Sequence, residues 1–137
     1  MPKFSIRSQE RLNTCHPDLQ LVFEEVVKVF DCSILCGHRD EQDQNQVFLE
    51  GKSQLKFPKS KHNTLPSMAV DVVPYPIDWK NKQRFYYFAG TVMGIAQHLY
   101  ESGKITHLIR WGGDWDRDTK TDDQTFMDLP HFELIKA

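Results

Sequence analysis

The sequence has few cysteines, no long apolar run and no excess of charge of either sign. Its three cysteines are an odd number, so we expect free thiols and a reducing compartment rather than a disulfide framework. No stretch approaches the ~20 apolar residues of a membrane-spanning helix, so we expect no membrane insertion. The formal net charge of -2 gives no indication of a nucleic-acid partner.

The N-terminal segment MPKFSIRSQERLNTC also lacks the apolar core of a secretory signal peptide. We therefore expect the protein to remain in the cytoplasm after its synthesis. The length of 137 residues fits one domain that spans residues 1–137, and no repeat or linker divides the chain.

Apolar residues recur at spacings that predict several helices and strands. The predicted helices cover residues 17–30, 41–50 and 82–102, and the predicted strands cover residues 32–37, 68–75, 107–111 and 131–135. The segment 51–67 is basic and contains two prolines, which is typical of a surface loop. This order favours an α+β domain, in which a small, mainly antiparallel sheet packs against helices.

Two of the predicted strands carry acidic or histidine side chains on the face away from the core. Alternation in MAVDVV places Asp71 on that face, and alternation in HFELI places His131 and Glu133 there. His62 lies in the loop before the first of these strands. Two histidines and one aspartate, with a vacant fourth position, are a typical ligand set of catalytic zinc.

Residue spacing alone leaves an ordinary explanation open for these side chains. The chain has six histidines, so a chance arrangement of this kind is not rare. An aspartate in a strand is often simply solvated, and a single histidine often binds no metal. From the spacing alone, the metal site is therefore a hypothesis that needs further support.

The segments SKHNTLPSMAVDV and DLPHFEL, with CGHRD upstream, supply that support. They resemble the M15 metallopeptidases, the family of D-alanyl-D-alanine carboxypeptidases and L-alanyl-D-glutamate peptidases. The likeness runs from Gly37 to Glu133 and is greatest to small phage endolysins, as WGGDW (111–115) and DWK (78–80) also indicate. The interval between His62 and Asp71 is longer than in many members, and the extra residues fall in a loop.

The resemblance implies a role for individual residues. The zinc ligands would be His62, Asp71 and His131. Asp128 matches the acidic general base, and Arg39 matches the arginine that stabilises the developing oxyanion. Glu133 would orient a ligand histidine, and Ser60 matches a serine with a supporting role.

The same resemblance implies a Hedgehog/DD-peptidase-like fold and a function on the bacterial cell wall. We expect a Zn²⁺-dependent peptidase that cleaves peptidoglycan peptide stems between L-Ala and D-Glu as a phage endolysin. Two alternatives remain: a carboxypeptidase that releases terminal D-Ala, and a non-catalytic zinc-bearing binding domain of the same fold. We expect a monomer without a separate wall-binding module, which reaches the wall from the host cytoplasm once the membrane is opened.

An acidic loop near the C-terminus suggests a second divalent cation. The carboxylates that alternate as at the start of an EF-hand are Asp114, Asp116 and Asp118. However, Thr119 stands where that loop needs glycine, and Thr125 stands where it needs a bidentate glutamate. A Ca²⁺ site of another kind is therefore one hypothesis, and a solvated flexible loop is the other.

Two tryptophans flank this loop, Trp111 before it and Trp115 within it. Aromatic side chains beside a catalytic site can line a substrate groove, so both are candidates for binding the wall. The alternative is that they belong to the hydrophobic core, which is the more usual place for tryptophan in a small domain.

Overall fold

A four-stranded antiparallel sheet organises the chain in the computed structural model, which describes residues 2–137. The helices are α1 (Ile6–Leu12), α2 (Pro17–Val29), α3 (Glu41–Leu49) and α4 (Lys82–Glu101). The strands are β1 (Cys32–Cys36), β2 (Ala69–Pro74), β3 (His107–Trp111) and β4 (His131–Lys136). The predicted α+β class with a mainly antiparallel sheet is confirmed.

The strands are arranged in the order β1-β2-β4-β3, so the last strand of the chain lies between β2 and β3. Its register places Asp71 of β2 directly opposite His131, and Arg110 of β3 directly opposite Glu133. Directly paired residues project from the same face of a sheet. One face therefore carries polar side chains from three adjacent strands.

The opposite face of the sheet packs against the helices. Helix α4 contacts α2, β2 and β3, while α1 contacts β1. In this core the Phe132 ring meets Phe23 and Phe88 edge-on, with ring centroids 5.5 and 6.1 Å apart. Such edge-to-face pairs stabilise a core beyond the burial of their area. The helical layer thus holds β4, and with it the polar face, in a fixed position.

The predicted helices and strands all occur, with ends that differ by one or two residues. Helix α1 was not predicted, because its seven residues bury only Ser8 and Leu12 and show no apolar stripe. The segment 51–67 forms a loop that contains one short 3-10 turn, Lys61–Asn63. Among residues 2–137, none of the helices has the length and apolar character needed to cross a bilayer.

Candidate active site

Asp71 lies between the two histidines that were predicted to share a metal with it. Its Oδ1 atom is 3.2 Å from Nε2 of His62 and 3.3 Å from Nδ1 of His131. The sheet register brings His131 opposite Asp71, and the 3-10 turn presents His62. Ser60 caps that turn, and its Oγ accepts a hydrogen bond from the His62 backbone N–H. The structure therefore brings the three predicted ligands together.

The second nitrogen of each histidine determines where the ring protons lie. Nδ1 of His62 is 2.7 Å from the carbonyl oxygen of Gly37, which can only accept, so this nitrogen carries a proton. Nε2 of His131 is likewise 2.7 Å from a carboxylate oxygen of Glu133. In the neutral rings, the remaining nitrogens direct lone pairs at Asp71. Lone pairs that face a carboxylate require a cation, which is either a metal ion or an added proton on each ring.

Two separations in this cluster, those from Asp71 to each histidine, fit zinc. Tetrahedral zinc with bonds of about 2.0–2.1 Å places its ligand atoms about 3.3–3.4 Å apart. The distances from Asp71 to the histidine nitrogens are 3.2 and 3.3 Å. Burial lowers the pKa of His62, yet the Asp71 carboxylate outweighs burial and raises that pKa to about 10. Burial raises the pKa of Asp71, but the two histidines hold it well below its usual range. The cluster thus attracts positive charge strongly.

Glu133 is held in place by cations on its other side. Arg110 donates to Oε2 of Glu133 from Nη2 at 2.6 Å and from Nε at 3.1 Å, and Lys61 lies 3.5 Å away. Burial raises the pKa of Glu133, but the hydrogen bonds from His131 and Arg110 lower it to about 2. Glu133 is therefore ionised at neutral pH, and it fixes the orientation and tautomer of His131.

Arg39 enters the site from the segment before α3. Its Nη2 lies 3.3 Å from Oδ2 of Asp71, and its Nη1 donates to Oε1 of Gln44 at 2.9 Å. Gln44 is fully buried, accepts a second hydrogen bond from Asn63 and donates to the carbonyl of Leu55. Gln44 was missed in the sequence, because a helix of polar residues does not indicate which of them is buried. This glutamine holds the guanidinium against the cluster.

Asp128 lies beside the cluster, with a carboxylate oxygen within 4.8 Å of ligand atoms of both Asp71 and His131. Its backbone N–H donates to the carbonyl of Gly112 at 2.8 Å, and its carbonyl accepts from the His131 N–H at 3.0 Å. A Cβ on residue 112 would collide with the Asp128 carbonyl, so only glycine allows this approach. Burial and the charge of Asp71 raise the pKa of Asp128.

A cleft with a volume of about 960 Å³ opens over these residues. Its lining includes the loop 52–55, the segment 123–130, Trp79 and Trp115. The Trp115 ring lies 5.4 Å from the ring of His131 and is held by a hydrogen bond from Nε1 to the Phe126 carbonyl. Trp115 therefore lines the groove in which it was predicted.

Trp111 does not line this groove and is a correction to the prediction. It is 6% exposed, and its Nε1 donates to the carbonyl of Leu129. In β3 it pairs with Phe132, which belongs to the core, whereas the neighbouring Arg110 pairs with Glu133 on the polar face. Strand alternation therefore directs Trp111 into the core.

The three acidic side chains of the predicted calcium site do lie together. Carboxylate oxygens of Asp114, Asp116 and Asp118 are within 4.8 Å of one another. However, the Asp114 carboxylate accepts backbone hydrogen bonds from Asp118 and Thr119, at 3.2 and 2.9 Å. These bonds form an ordinary aspartate-stabilised turn. The calcium hypothesis stays a prediction.

All three cysteines are free thiols. Cys15 and Cys32 are buried, and burial raises the pKa of each thiol to about 12, which makes them unreactive. Cys36 is only half-buried, and its Sγ lies 3.9 Å from Nδ1 of His62.

Comparison with known proteins gives two matches, both to peptidases. The model of a family described as phage L-alanyl-D-glutamate peptidase matches residues 1–135. A solved structure, that of the Serratia marcescens L-Ala D-Glu endopeptidase ChiX, is 29% identical with a TM-score of 0.72. The match covers 98% of this chain and 91% of that chain. No curated protein gives a significant match.

Proposed function

Because the chain belongs to the phage L-alanyl-D-glutamate peptidase family, we propose that it cleaves the L-Ala–D-Glu bond of peptidoglycan with zinc held by His62, Asp71 and His131. The observation that carries the proposal is the set of hydrogen-bond partners of the two histidine rings, from which the position of the ring protons follows. Hydrogen bonds to Gly37 and Glu133 leave one lone pair on each histidine directed at the same carboxylate. This arrangement is suited to a divalent cation.

The donor set determines how the metal would be held. His62 would bind through Nε2, His131 through Nδ1 and Asp71 through a carboxylate oxygen. A bound zinc ion supplies Lewis-acid activation of water and of a peptide carbonyl. Three protein ligands of this kind leave a coordination position for water or substrate, as in other catalytic zinc sites.

Asp128 would move the proton in this reaction. As a carboxylate it takes a proton from the attacking water, and it then passes that proton to the amine of the leaving D-Glu residue. Burial and the nearby charge of Asp71 raise its pKa, so the protonated intermediate state is easier to form at neutral pH.

Arg39 supplies the positive charge for the negative oxygen that develops on the scissile carbonyl. Its guanidinium stays charged at all relevant pH values and needs no proton transfer during the reaction. Gln44 and Asp71 hold two of its nitrogens, so the side chain is oriented before the substrate binds.

The test of this function is the identity of the product. Purified protein with one equivalent of zinc is incubated with peptidoglycan, and the new termini are identified by mass spectrometry. We expect new amino groups on D-Glu and new carboxyl groups on L-Ala, and no product in the presence of a chelator. Release of free D-Ala would indicate a carboxypeptidase instead. No product, under conditions in which a known lysin is active, would contradict both activities.

We also propose that the protein acts as a monomer on the wall, after its release from the host cytoplasm. The candidate ligands, Asp128 and Arg39 all belong to the same cleft of a single chain, which is what a monomeric enzyme requires. Sedimentation equilibrium of the zinc-loaded protein should give a mass near 16.1 kDa. A stable dimer at assay concentration would contradict this part of the proposal.

A further inference from the structure

Trp79 is an exposed aromatic residue on the wall of the same cleft as the zinc cluster. It lies in the connection between β2 and α4, and 58% of its surface is accessible. Single exposed aromatic residues are common, so exposure alone indicates nothing. What distinguishes Trp79 is that its position is fixed and its polar group is free.

The fixed position comes from stacking and from the backbone. The indole lies against the buried Phe85 ring, with centroids 5.6 Å apart and planes inclined by 21°. Arg84 holds the preceding segment through two hydrogen bonds of 2.7 Å, to the carbonyls of Tyr75 and Pro76. One face of the indole is therefore packed, and the ring forms a rigid platform before any ligand binds.

The free polar group is the indole N–H. In Trp111 and Trp115 this group donates to a backbone carbonyl, at 2.7 Å in both cases. Across residues 2–137, no acceptor is found for Nε1 of Trp79. A ligand on this platform can thus use both an aromatic face and a hydrogen-bond donor.

The substrate has two chemically different parts, a peptide and the glycan strand that carries it. A sugar ring presents a face of C–H groups, which suits the negative face of an indole, and hydroxyl or amide oxygens at its edge, which accept an N–H. Of the cations that line the cleft, Arg39, Lys52, Lys61 and Arg110 are paired with carboxylates, so most of the positive charge there is already neutralised. We propose that Trp79 binds a sugar ring of the glycan strand beside the scissile peptide, an inference that rests on the proposed function.

Two substrates with the same scissile bond test this proposal. One is sugar-bearing soluble peptidoglycan fragments, and the other is the free stem peptide without sugar. For Trp79→Ala we expect KM to rise by about 2- to 10-fold on the sugar-bearing fragments, with kcat and the free peptide unaffected. Tyr87→Ala is the matched control, because Tyr87 is 73% exposed but lies outside the cleft. This variant should leave KM unchanged on both substrates.

An equal rise in KM on both substrates would mean that Trp79 binds the peptide, which would overturn the proposal. An unchanged KM on both substrates would overturn it as well. Trp79→Phe keeps an aromatic ring stacked on Phe85, so its KM on the sugar-bearing fragments should rise less. This variant replaces Trp79→Ala in the test if Trp79→Ala does not fold. Co-sedimentation of the chelator-treated chain with intact peptidoglycan gives a readout that does not need cleavage. Trp79→Ala should bind less than Tyr87→Ala there, even if the proposed bond specificity proves wrong.

Discussion

The cluster in the cleft can be compared with a second group of two histidines and one aspartate at the start of α2. The cleft cluster is formed by His62, Asp71 and His131. The second cluster is formed by His16, Asp18 and His107, whose ligand atoms lie within 4.8 Å of one another. The residue types are identical, so composition cannot account for a difference in function.

The hydrogen bonds of the second cluster give it a structural role. One carboxylate oxygen of Asp18 accepts from the backbone N–H of Thr106 and of His107, and lies 2.8 Å from Nδ1 of His107. Nδ1 of His16 accepts the backbone N–H of Asp18 and so caps α2. The Asp18 carboxylate and Nδ1 of His16 thus already accept hydrogen bonds, and the cluster connects α2 to β3. In the cleft, by contrast, one nitrogen of each histidine directs a lone pair at the Asp71 carboxylate, an arrangement that suits a bound cation. We therefore expect the direction of the ring protons to distinguish the candidate metal site from the second cluster.

Removing one histidine from each cluster should affect different properties: zinc content and activity for the cleft cluster, and stability for the second cluster. We expect His62→Ala to lose its zinc and at least about 1,000-fold in kcat/KM, because both the metal and its activation of water are lost. We expect His16→Ala to keep zinc and activity while losing about 1 kcal/mol of stability through the missing cap. Zinc analysis and peptidoglycan turnover check both variants. One zinc per chain in His62→Ala, or no zinc in His16→Ala, would contradict the distinction between a metal-binding cluster and a structural cluster.

Replacing the base should separate metal binding from catalysis. We expect Asp128→Asn to retain stoichiometric zinc and to lose about 100- to 10,000-fold in kcat, because proton transfer is removed. The measurement is zinc content and initial rate on the same preparation. A rate within a few-fold of the wild type would exclude Asp128 as the base.

Loss of the Glu133 carboxylate, which accepts a hydrogen bond from His131, should reduce the zinc affinity less than loss of a ligand does. We expect Glu133→Gln to weaken zinc binding by about 10- to 100-fold, because His131 loses the carboxylate that orients it. Competition with a chromophoric chelator measures the affinity. Asp18→Asn is the matched control, since it changes a histidine-bound carboxylate of the other cluster, and its zinc affinity should equal that of the wild type. Equal losses in both variants would indicate a general effect of stability.

The second cluster, which connects α2 to β3, should affect the pH dependence of the free energy of unfolding. Burial raises the pKa of Asp18, but the hydrogen bonds from His107 and Thr106 outweigh burial and lower the pKa below its usual value. A lowered pKa means that ionised Asp18 stabilises the folded state above about pH 3.9, and that this stabilisation is lost as the pH falls through the folded pKa.

Asp18→Asn should therefore be less stable than the wild type at pH 7, and the difference should shrink below about pH 4. Denaturant unfolding of the metal-free proteins at pH 7, 5 and 3 measures this difference. A difference that is constant across that range would show that the charge of Asp18 does not stabilise the fold.

Strand alternation and motif order were enough to select three candidate ligands that the structure brings close to one another. Alternation places Asp71 and His131 on the face away from the core, and the sheet register then brings them opposite each other. His62 follows from the family motif, because a loop residue has no periodicity that would locate it. The arrangement of β2 beside β4 was beyond the sequence patterns, since pairing between distant strands leaves no local signal.

The supporting residues could not be predicted for a similar reason. Gln44 is buried by contacts with a loop that follows it, and Gly112 is needed because the Asp128 backbone approaches it closely. Both requirements arise only when distant segments meet. For Trp111 the sequence left both the groove and the core open, and the alternation with Arg110 in β3 decides for the core.

The most direct test of the account is the zinc stoichiometry of the wild-type protein. After exposure to excess zinc and removal of unbound metal, elemental analysis should give one tightly held zinc per chain, and Asp71→Asn should hold none. Asp18→Asn should still hold one. Two zinc ions in the wild type, one of them lost in Asp18→Asn, would contradict the assignment of the second cluster as an anchor. Zinc retained in Asp71→Asn would contradict the central claim that the metal is bound in the cleft.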